Sequence, residues 1–498
     1  MNVLQLGSTN WAKEYSIPDD VKWSFNSYDK KIKYFDLAII TGGVSVDTID
    51  WRKLQWMIEP YRVLYTKEVL GTLNKEATRF LKLQMATEIN EDVQTLIDSL
   101  LSKYFSDQGG IRLKSRQLII NENNCESYEY QDGDHLLLKA NTRGQWKNIG
   151  TYNERIPIAE YRLMDLWLEY QSQGLQPRLR VFIHPVSGDG KSGDMHIIEC
   201  DSTKDQRIPI AVSNQPRVVS VTLEVKGKGT LSLSSLHYRW SRSGIGKFLP
   251  GGKLLQNPQT REQVAYLFNP GDLRPPLNVY FAGARGLEGF EAVHLFRSVH
   301  APSLLFTDTR LEIGQFYAGS FWEQQIVSTI RKTLKRLGFT SQQLVLNGIS
   351  MGTYPALKIG SILKPYAINV AKPITNLGYL ASRARLQRPE DFTAIFDIDL
   401  RLLGDLTHEH LVEMDKKFWD RFNRADLKQT RLFIGYMLND NYDDRTIEKL
   451  KKSKAVQQCR QFSYKGFPGR HNDNPYVVLW FVSRVKYLSK IAFKREGS

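Results

Sequence analysis

Short apolar runs separated by stretches of helical length dominate the second half of this 498-residue chain. From about Leu254 onward, five such runs stand out: LNVYFAGA, SLLFTD, QLVLNGIS, AINVAKPI and RLFIGYML. Apolar runs of this kind are typical of strands that are buried on both faces, in a mostly parallel sheet covered by helices. The segment is long enough for one complete enzyme domain. The sequence therefore predicts an α/β domain over residues 254–498.

Two segments with different patterns of apolar residues precede this domain. Residues 1–110 contain two apolar runs, NVLQLG and FDLAIITGG, with helical stretches after them, which predicts an N-terminal α/β segment. Residues 111–253 contain short, alternating apolar runs punctuated by turns, which predicts a β-sandwich-like domain. One stretch inside it, Ile158–Gly174, has the spacing of a helix, and we expect it to interrupt the strands.

The net charge and the cysteine content indicate which partners and which cellular compartment suit the chain. The formal net charge of +15 suits an anionic partner, yet no block of five basic residues marks a tail, so a solvated basic surface is an equal alternative. Three widely spaced cysteines argue against a disulfide framework and for a reducing compartment. The N-terminus lacks the pattern of a signal peptide. We expect a cytosolic protein with no metal site and no nucleic-acid partner.

The stretch GISMG, residues 348–352, matches the G-x-S-x-G pattern of a nucleophile elbow. In such an elbow a serine sits on a sharp turn between a strand and a helix, so small residues are needed two positions before and after it. The apolar run before this stretch and the helical pattern after it supply that setting. The sequence therefore predicts Ser350 as a nucleophile and an α/β-hydrolase-like domain around it; the alternative is a tight packing turn.

A nucleophilic serine needs a base, which in this fold lies C-terminal to it. Only His408, His410 and His471 follow Ser350. The first two lie at the start of a solvated helical pattern, whereas His471 follows a loop rich in Gly and Pro and precedes the last helical stretch. The sequence favours His471 as the base.

The acid of such a site lies in the loop after the penultimate strand. The run RLFIGYML is followed by a cluster of carboxylates. Asp440 comes first after the strand and is the predicted acid, which would orient the imidazole. Asp443 and Asp444 remain alternatives on spacing alone, and helix capping is their other reading.

The oxyanion of an acyl-transfer step needs two backbone N–H donors. The predicted donors are the residue after the nucleophile and the loop after an early strand: Met351, Gly283 and Ala284. Arg285 in that loop is a candidate contact for an anionic donor or for a substrate group. A salt bridge to Glu288 or Glu291 is the alternative role of Arg285.

Four stretches together, YFAGARGLEGFE, FTDTRLEIGQFYAGS, GISMGTYPALKIG and GRHNDNPY, make the chain resemble the second accessory secretory protein family of the accessory Sec system of Gram-positive bacteria. The resemblance covers essentially the whole chain and is most specific from about Tyr280 onward. It implies an α/β-hydrolase-like domain with a Ser–acid–His triad, with Ser350 as the serine, His471 as the histidine and the acid near Asp440.

The resemblance also implies O-acetyltransferase activity toward N-acetylglucosamine on serine-rich-repeat glycoprotein adhesins. It further implies work alongside sister accessory proteins, the accessory SecA ATPase and the accessory SecY component, with peripheral membrane contact. No bound cofactor is expected; acetyl-CoA would suit as the acetyl donor. A non-enzymatic export scaffold and a plain esterase or lipase are the alternatives.

The two segments before the α/β-hydrolase-like domain are candidates for holding the substrate and the partner proteins. Strands that expose Tyr238, Arg239 and Trp240 would stack on sugars, and a place for these side chains in the core is the alternative. The associated hypothesis is that residues 111–253 hold glycosylated repeats. We expect the N-terminal segment to contact sister export proteins. Deleting the β-rich domain should then spare hydrolysis of a small ester.

Overall fold

The computed structural model of the chain describes residues 1–186, 193–200, 206–388 and 392–495. Three sheets follow one another along these residues, and the first is parallel with strand order β2-β1-β3-β4-β5. Its elements are β1 (Asn2–Leu6), β2 (Lys22–Phe25), β3 (Leu37–Ile40), α1 (Trp51–Met57), β4 (Val63–Tyr65), α2 (Lys75–Leu83), β5 (Thr87–Glu88) and α3 (Val93–Lys103). Alternate residues of β1 face opposite cores: Leu4 packs with α1 and α2, and Val3 packs with α3. The sheet is therefore buried on both faces.

The second sheet is antiparallel and is built on two long strands, of 23 and 25 residues, that pair along most of their length. Its strands are β6 (Gly110–Leu113), β7 (Leu118–Ile120), β8 (Ser127–Tyr130), β9 (Leu136–Asn141), β10 (Lys147–Tyr152), β11 (Ile156–Ile158), β12 (Leu163–Pro185), β13 (Asp194–Glu199), β14 (Gln206–Arg207) and β15 (Arg217–Ser241). The long strands β12 and β15 share one apolar core with the shorter strands around them.

The predicted helix over residues 158–174 is wrong, because most of that stretch belongs to β12. Its polar residues recur every four positions, as on a helix, but they are ion-paired inside the sheet instead. Asp165 lies 2.7 Å from the Lys247 ammonium, and Glu169 lies 3.0 Å from the His237 ring. Pairing with β15 overrides the local pattern, as tertiary context often does.

The third sheet has eight strands in the order β16-β17-β19-β18-β20-β21-β22-β23. Its strands are β16 (Lys253–Gln256), β17 (Gln263–Asn269), β18 (Leu277–Phe281), β19 (Ser303–Asp308), β20 (Leu344–Ile349), β21 (Ala367–Ala371), β22 (Arg431–Met437) and β23 (Gln461–Phe467). Pairs β16–β17 and β17–β19 are antiparallel, and the rest are parallel. This is the strand order of an α/β-hydrolase sheet, so the predicted fold class is confirmed.

Helices connect and cover these strands. They are α4 (Val293–Ser298), α5 (Ser320–Leu337), α6 (Thr353–Leu363), α7 (Leu377–Gln387), α8 (Ala394–Leu403), α9 (His408–Asn423), α10 (Thr446–Lys452), α11 (Lys454–Gln457) and α12 (Tyr476–Lys486). Separate apolar cores contain α5 and α6 on one side and α12 on the other. In the part of the chain that the structure describes, no helix combines the length and the apolar character needed to cross a membrane.

The prediction that the end of β15 exposes a sugar-stacking surface is wrong. Tyr238 is 8% exposed and Arg239 is 1% exposed. Arg239 donates to the Glu288 carboxylate at 2.5 Å, and Trp240 packs edge-on against Phe105 with ring centroids 5.9 Å apart. Arg239 and Trp240 thus join the β-rich sheet to its neighbours, and Tyr238 belongs to the core of that sheet.

Asp415 on α9 gives stability a defined pH dependence. Burial raises the pKa of this carboxyl to about 7. The folded chain therefore keeps a proton that the unfolded chain releases above about pH 4, so stability should fall as pH rises from about 4 to 7. In Asp415→Asn this contribution is absent, and we expect its melting temperature to fall less than that of the wild type between pH 5 and pH 7.5.

Thermal unfolding at the two pH values measures this difference. Asp420→Asn, an exposed carboxyl on the same helix, is the matched control and should follow the wild type. Identical pH slopes for Asp415→Asn and the wild type would contradict the assignment.

Candidate active site

Ser350 occupies the sharp turn between β20 and α6. Its φ of +53° lies in the left-handed region, which costs a residue other than glycine about 1–3 kcal/mol. Two close backbone approaches explain the flanking glycines. A Cβ at Gly348 would lie 2.2 Å from the Gly352 carbonyl oxygen, and a Cβ at Gly352 would lie 2.1 Å from that of Phe281. The local geometry is that of a nucleophile elbow.

The predicted serine, histidine and acid lie in one hydrogen-bonded chain. Ser350 Oγ is 2.8 Å from His471 Nε2, and His471 Nδ1 is 2.9 Å from Asp440 Oδ2. The imidazole is 1% exposed. Each residue follows the carboxyl end of a parallel strand, β20, β23 or β22 respectively, so the sheet brings together side chains that are 31 to 121 positions apart.

This arrangement fixes what each group can do. When Asp440 accepts the proton of Nδ1, the lone pair of Nε2 faces the serine hydroxyl. The Asp440 carboxylate is itself held in place, because the backbone N–H of Tyr442 donates to it at 2.8 Å. The geometry therefore suits proton removal from Ser350 by His471.

The alternative acids make other contacts. Asp443 is buried and accepts the N–H groups of Thr375 and Asn376, at 2.8 and 2.9 Å, so it ties the loop after β21 to the loop after β22. Asp444 pairs with Arg383 on α7 at 2.8 Å. Neither contact involves His471.

The alternative histidines begin α9. His410 lies against Asp405 at 2.8 Å with more than half of its side chain exposed, and His408 is exposed as well. The prediction of a solvated helix at this point is confirmed.

Aromatic side chains next to the imidazole escaped the sequence reasoning. The Tyr442 ring stacks on the His471 ring with centroids 4.5 Å apart, and the Phe392 ring stacks on Tyr442 with centroids 5.5 Å apart. Asn441 accepts the backbone N–H of His471 at 2.9 Å. The carboxylates of the stretch NDNYDD predict an acid, whereas its Asn441 and Tyr442 contact the histidine. Both lie within two residues of Asp440, which was the available signal.

The loop after β18 is where an oxyanion donor is predicted. The N–H of Gly283 donates to Glu291 Oε2 at 3.1 Å, and the Tyr280 hydroxyl donates to the same oxygen at 2.7 Å. Ala284 is exposed on this loop, and Met351 directly follows Ser350 in the turn that leads into α6. Since Gly283 is already engaged, Ala284 and Met351 are the predicted donors that suit a substrate oxyanion.

Arg285 and Glu288 in this loop have different environments. The Arg285 guanidinium donates to the Gly289 carbonyl at 3.3 Å. Burial favours the neutral form of Glu288, but Arg239 and His237 beside it hold the pKa of this carboxyl well below its usual range. Glu288 therefore pairs with the β-rich sheet rather than with Arg285.

A buried arginine of the β-rich sheet holds the same loop. Arg112 on β6 donates to the carbonyl oxygens of Arg285 at 2.7 Å, Glu312 at 2.6 Å and Arg310 at 3.3 Å. The N–H of Glu288 also donates to a carbonyl of β6. One guanidinium thus fixes two loops at the carboxyl edge of the third sheet.

An eight-stranded sheet in this order, with a Ser–His–Asp chain at the carboxyl ends of its strands, defines a protein of the α/β-hydrolase class. Sequence comparison places it more narrowly. The chain belongs to the family described as the accessory Sec system GspB-transporter, whose model matches residues 1–495. The predicted family membership is confirmed.

Named relatives match most or all of the chain. An accessory Sec system protein of Streptococcus gordonii is 32% identical over 510 residues, covering 100% of this chain and 99% of its own length. A Staphylococcus aureus counterpart is 32% identical over 445 residues, covering 89% and 85%. A chain of the Glycosylation Associate Protein (Gap123) complex from Streptococcus agalactiae superposes with a TM-score of 0.89 at 30% identity, covering 100% and 99%. The three-sheet architecture is therefore shared with a solved structure.

Proposed function

We propose that this accessory Sec system component is a serine O-acetyltransferase that acetylates N-acetylglucosamine on serine-rich-repeat glycoprotein adhesins. The observation that carries the proposal is the hydrogen-bonded chain from Ser350 through His471 to Asp440. Such a chain activates a serine toward an acyl carbonyl. The acceptor is taken from the family resemblance.

The reaction has two halves. Ser350 Oγ attacks the acetyl carbonyl of the donor while His471 Nε2 takes its proton, and the N–H groups of Met351 and Ala284 bind the oxyanion. The bond to the donor's leaving group then breaks, His471 returns the proton to that group, and an acetyl ester remains on Ser350. A sugar hydroxyl attacks this ester with His471 again as base, which releases the acetylated sugar and restores the serine.

Acetyl-CoA is the proposed donor. Arg285 is the proposed contact for its anionic part, because this guanidinium sits on the loop that also carries Ala284. The S. agalactiae relative belongs to a multi-protein complex. We extend the proposal to assembly with sister accessory proteins and the accessory SecA ATPase, in the cytoplasm and against the inner face of the membrane.

Substitution of the nucleophile separates an enzyme from a scaffold. In cells carrying Ser350→Ala, the adhesin glycans should lose their acetyl groups while export continues, because the side chain acts only in chemistry. Mass spectrometry of the secreted adhesin measures both. Ser361→Ala is the matched control, since among the residues that the structure describes that hydroxyl bonds only to the Lys358 carbonyl of its own helix.

Each alternative function has its own outcome in this test. Full acetylation in Ser350→Ala cells would reject the enzyme and leave the scaffold. Rapid hydrolysis of a nitrophenyl ester by the purified protein, with no transfer to a sugar, would favour a plain esterase.

A further inference from the structure

A cleft of about 600 Å³ lies where the β-rich sheet meets the third sheet and α8. Gln171 of β12 and Ser232 of β15 form one wall, residues 318–322 at the start of α5 form another, and Arg401 of α8 lies at a third. A volume of this size accommodates a small ligand.

The lining of this cleft is rich in groups that both donate and accept hydrogen bonds. Amide and hydroxyl side chains supply them: Gln131, Gln171, Asn257, Gln315, Ser232 and Ser320. The partly buried ring of Phe321 adds an apolar face. Sugars present the complementary set, because their hydroxyl groups donate and accept while their C–H faces pack on aromatic rings.

The cations of the cleft are already paired. The Arg401 guanidinium lies 3.2 Å from Glu262 and 3.5 Å from Asp132. Arg310 pairs with the buried Asp308 at 2.7 Å. A phosphate-bearing ligand such as CoA would compete with these carboxylates and meet their repulsion. The cleft therefore favours a neutral polar ligand over an anionic one.

The loop after β19 lines the cleft and also contacts the residue after the nucleophile. Gln315 lines the cleft, and its Oε1 is buried with no hydrogen-bond partner among the residues that the structure describes. Its neighbour Gly314 packs on the residue after Ser350, since a Cβ at position 314 would lie 2.6 Å from Met351 Cε. The backbone N–H of Gln315 donates to Asp308 at 2.9 Å, which fixes the loop.

We propose that this cleft is a subsite for a neutral oligosaccharide, which holds the glycan of the acceptor while another of its sugars reaches Ser350. The inference rests on the proposed function, and it places the sugar-holding site at the junction of the two sheets rather than on Tyr238 and Arg239. Holding the glycan there raises the local concentration of acceptor hydroxyl against competing water.

Binding to a serine-rich peptide carrying O-linked N-acetylglucosamine tests the subsite. Calorimetric titration uses the full-length Ser350→Ala protein, so that no acetyl transfer occurs. Adding Gln171→Trp should fill the cleft from the β-rich side and weaken binding by about tenfold or more, since an indole displaces several hydrogen bonds. Ser320→Trp should do the same from the opposite wall. Gln176→Trp, at an exposed glutamine farther along β12 and outside the cleft, should leave the Kd unchanged.

The outcomes separate this inference from the proposed function. Unchanged binding in both cleft variants, with wild-type melting temperatures, would overturn the subsite, and so would loss of CoA binding in place of glycopeptide binding. Equal binding of the unglycosylated peptide would overturn it too. Glycopeptide binding that depends on the cleft, in a wild-type protein that transfers no acetyl group, would reject the transferase and leave the subsite standing.

Discussion

Replacing His471 by alanine should reduce acetyl transfer about as severely as replacing Ser350, by about a thousandfold or more. The two side chains share one proton transfer across a 2.8 Å contact, so either loss disables the same step. The double variant should therefore be no worse than a single one. Steady-state transfer by the purified proteins measures kcat for all three.

The other histidines after the nucleophile are the controls for this experiment. His408→Ala and His410→Ala alter exposed side chains at the start of α9, and each should remain within about twofold of the wild type. An active His471→Ala protein beside an inactive His408 or His410 variant would contradict the assignment of the base.

Asp440→Asn should lower kcat by about a hundredfold or more, since an amide no longer holds the imidazole in the tautomer that faces the serine. The carboxylate lies 2.9 Å from His471 Nδ1 and is nearly buried, so water replaces it poorly. Steady-state transfer by the purified variant measures the drop, and its melting temperature shows whether the fold is kept.

Variants of the neighbouring carboxylates test whether the loss of activity in Asp440→Asn comes from a misoriented imidazole or from a folding defect. Asp444→Asn should change kcat by less than about twofold, because its ion pair with Arg383 is partly exposed. Asp443→Asn should lower the melting temperature instead, since that buried carboxylate accepts four backbone N–H groups. A hundredfold loss of kcat in a folded Asp444→Asn protein would contradict the choice of Asp440.

The sequence was most informative where local chain geometry sets the structure. A serine between two glycines, after an apolar strand, predicts an elbow because the close approach of Gly348 to Gly352 lies within the turn itself, whereas the approach of Gly352 to Phe281 depends on the neighbouring strand. Asp440 and His471 could be placed because the carboxyl ends of parallel strands meet at one edge of a sheet. Their contact with each other depends on that topology and on the neighbouring Asn441 and Tyr442.

Contacts between distant segments were beyond sequence reasoning. Arg112 and the carbonyls it binds are separated by 173 to 200 positions, and backbone acceptors leave no residue-type signal. The misassigned helix has the same origin, since Glu169 mimics a solvated helix face until its buried partner His237 is known. A charged residue in a sequence usually indicates an exposed position, but a residue in a buried ion pair of this kind lies inside the protein.

Because Arg112 belongs to the β-rich sheet and holds a loop of the active site, the unit needed for catalysis is larger than the sheet that carries Ser350. A gene fragment encoding only residues 254–498 would lose the guanidinium that fixes the loop bearing Ala284, together with the partners of the Glu288 carboxylate. Ester hydrolysis should then fail along with glycan transfer, contrary to the expectation of independent modules. In evolution, the hydrolase domain of such a chain could be fused to a new domain only together with the strand that carries Arg112.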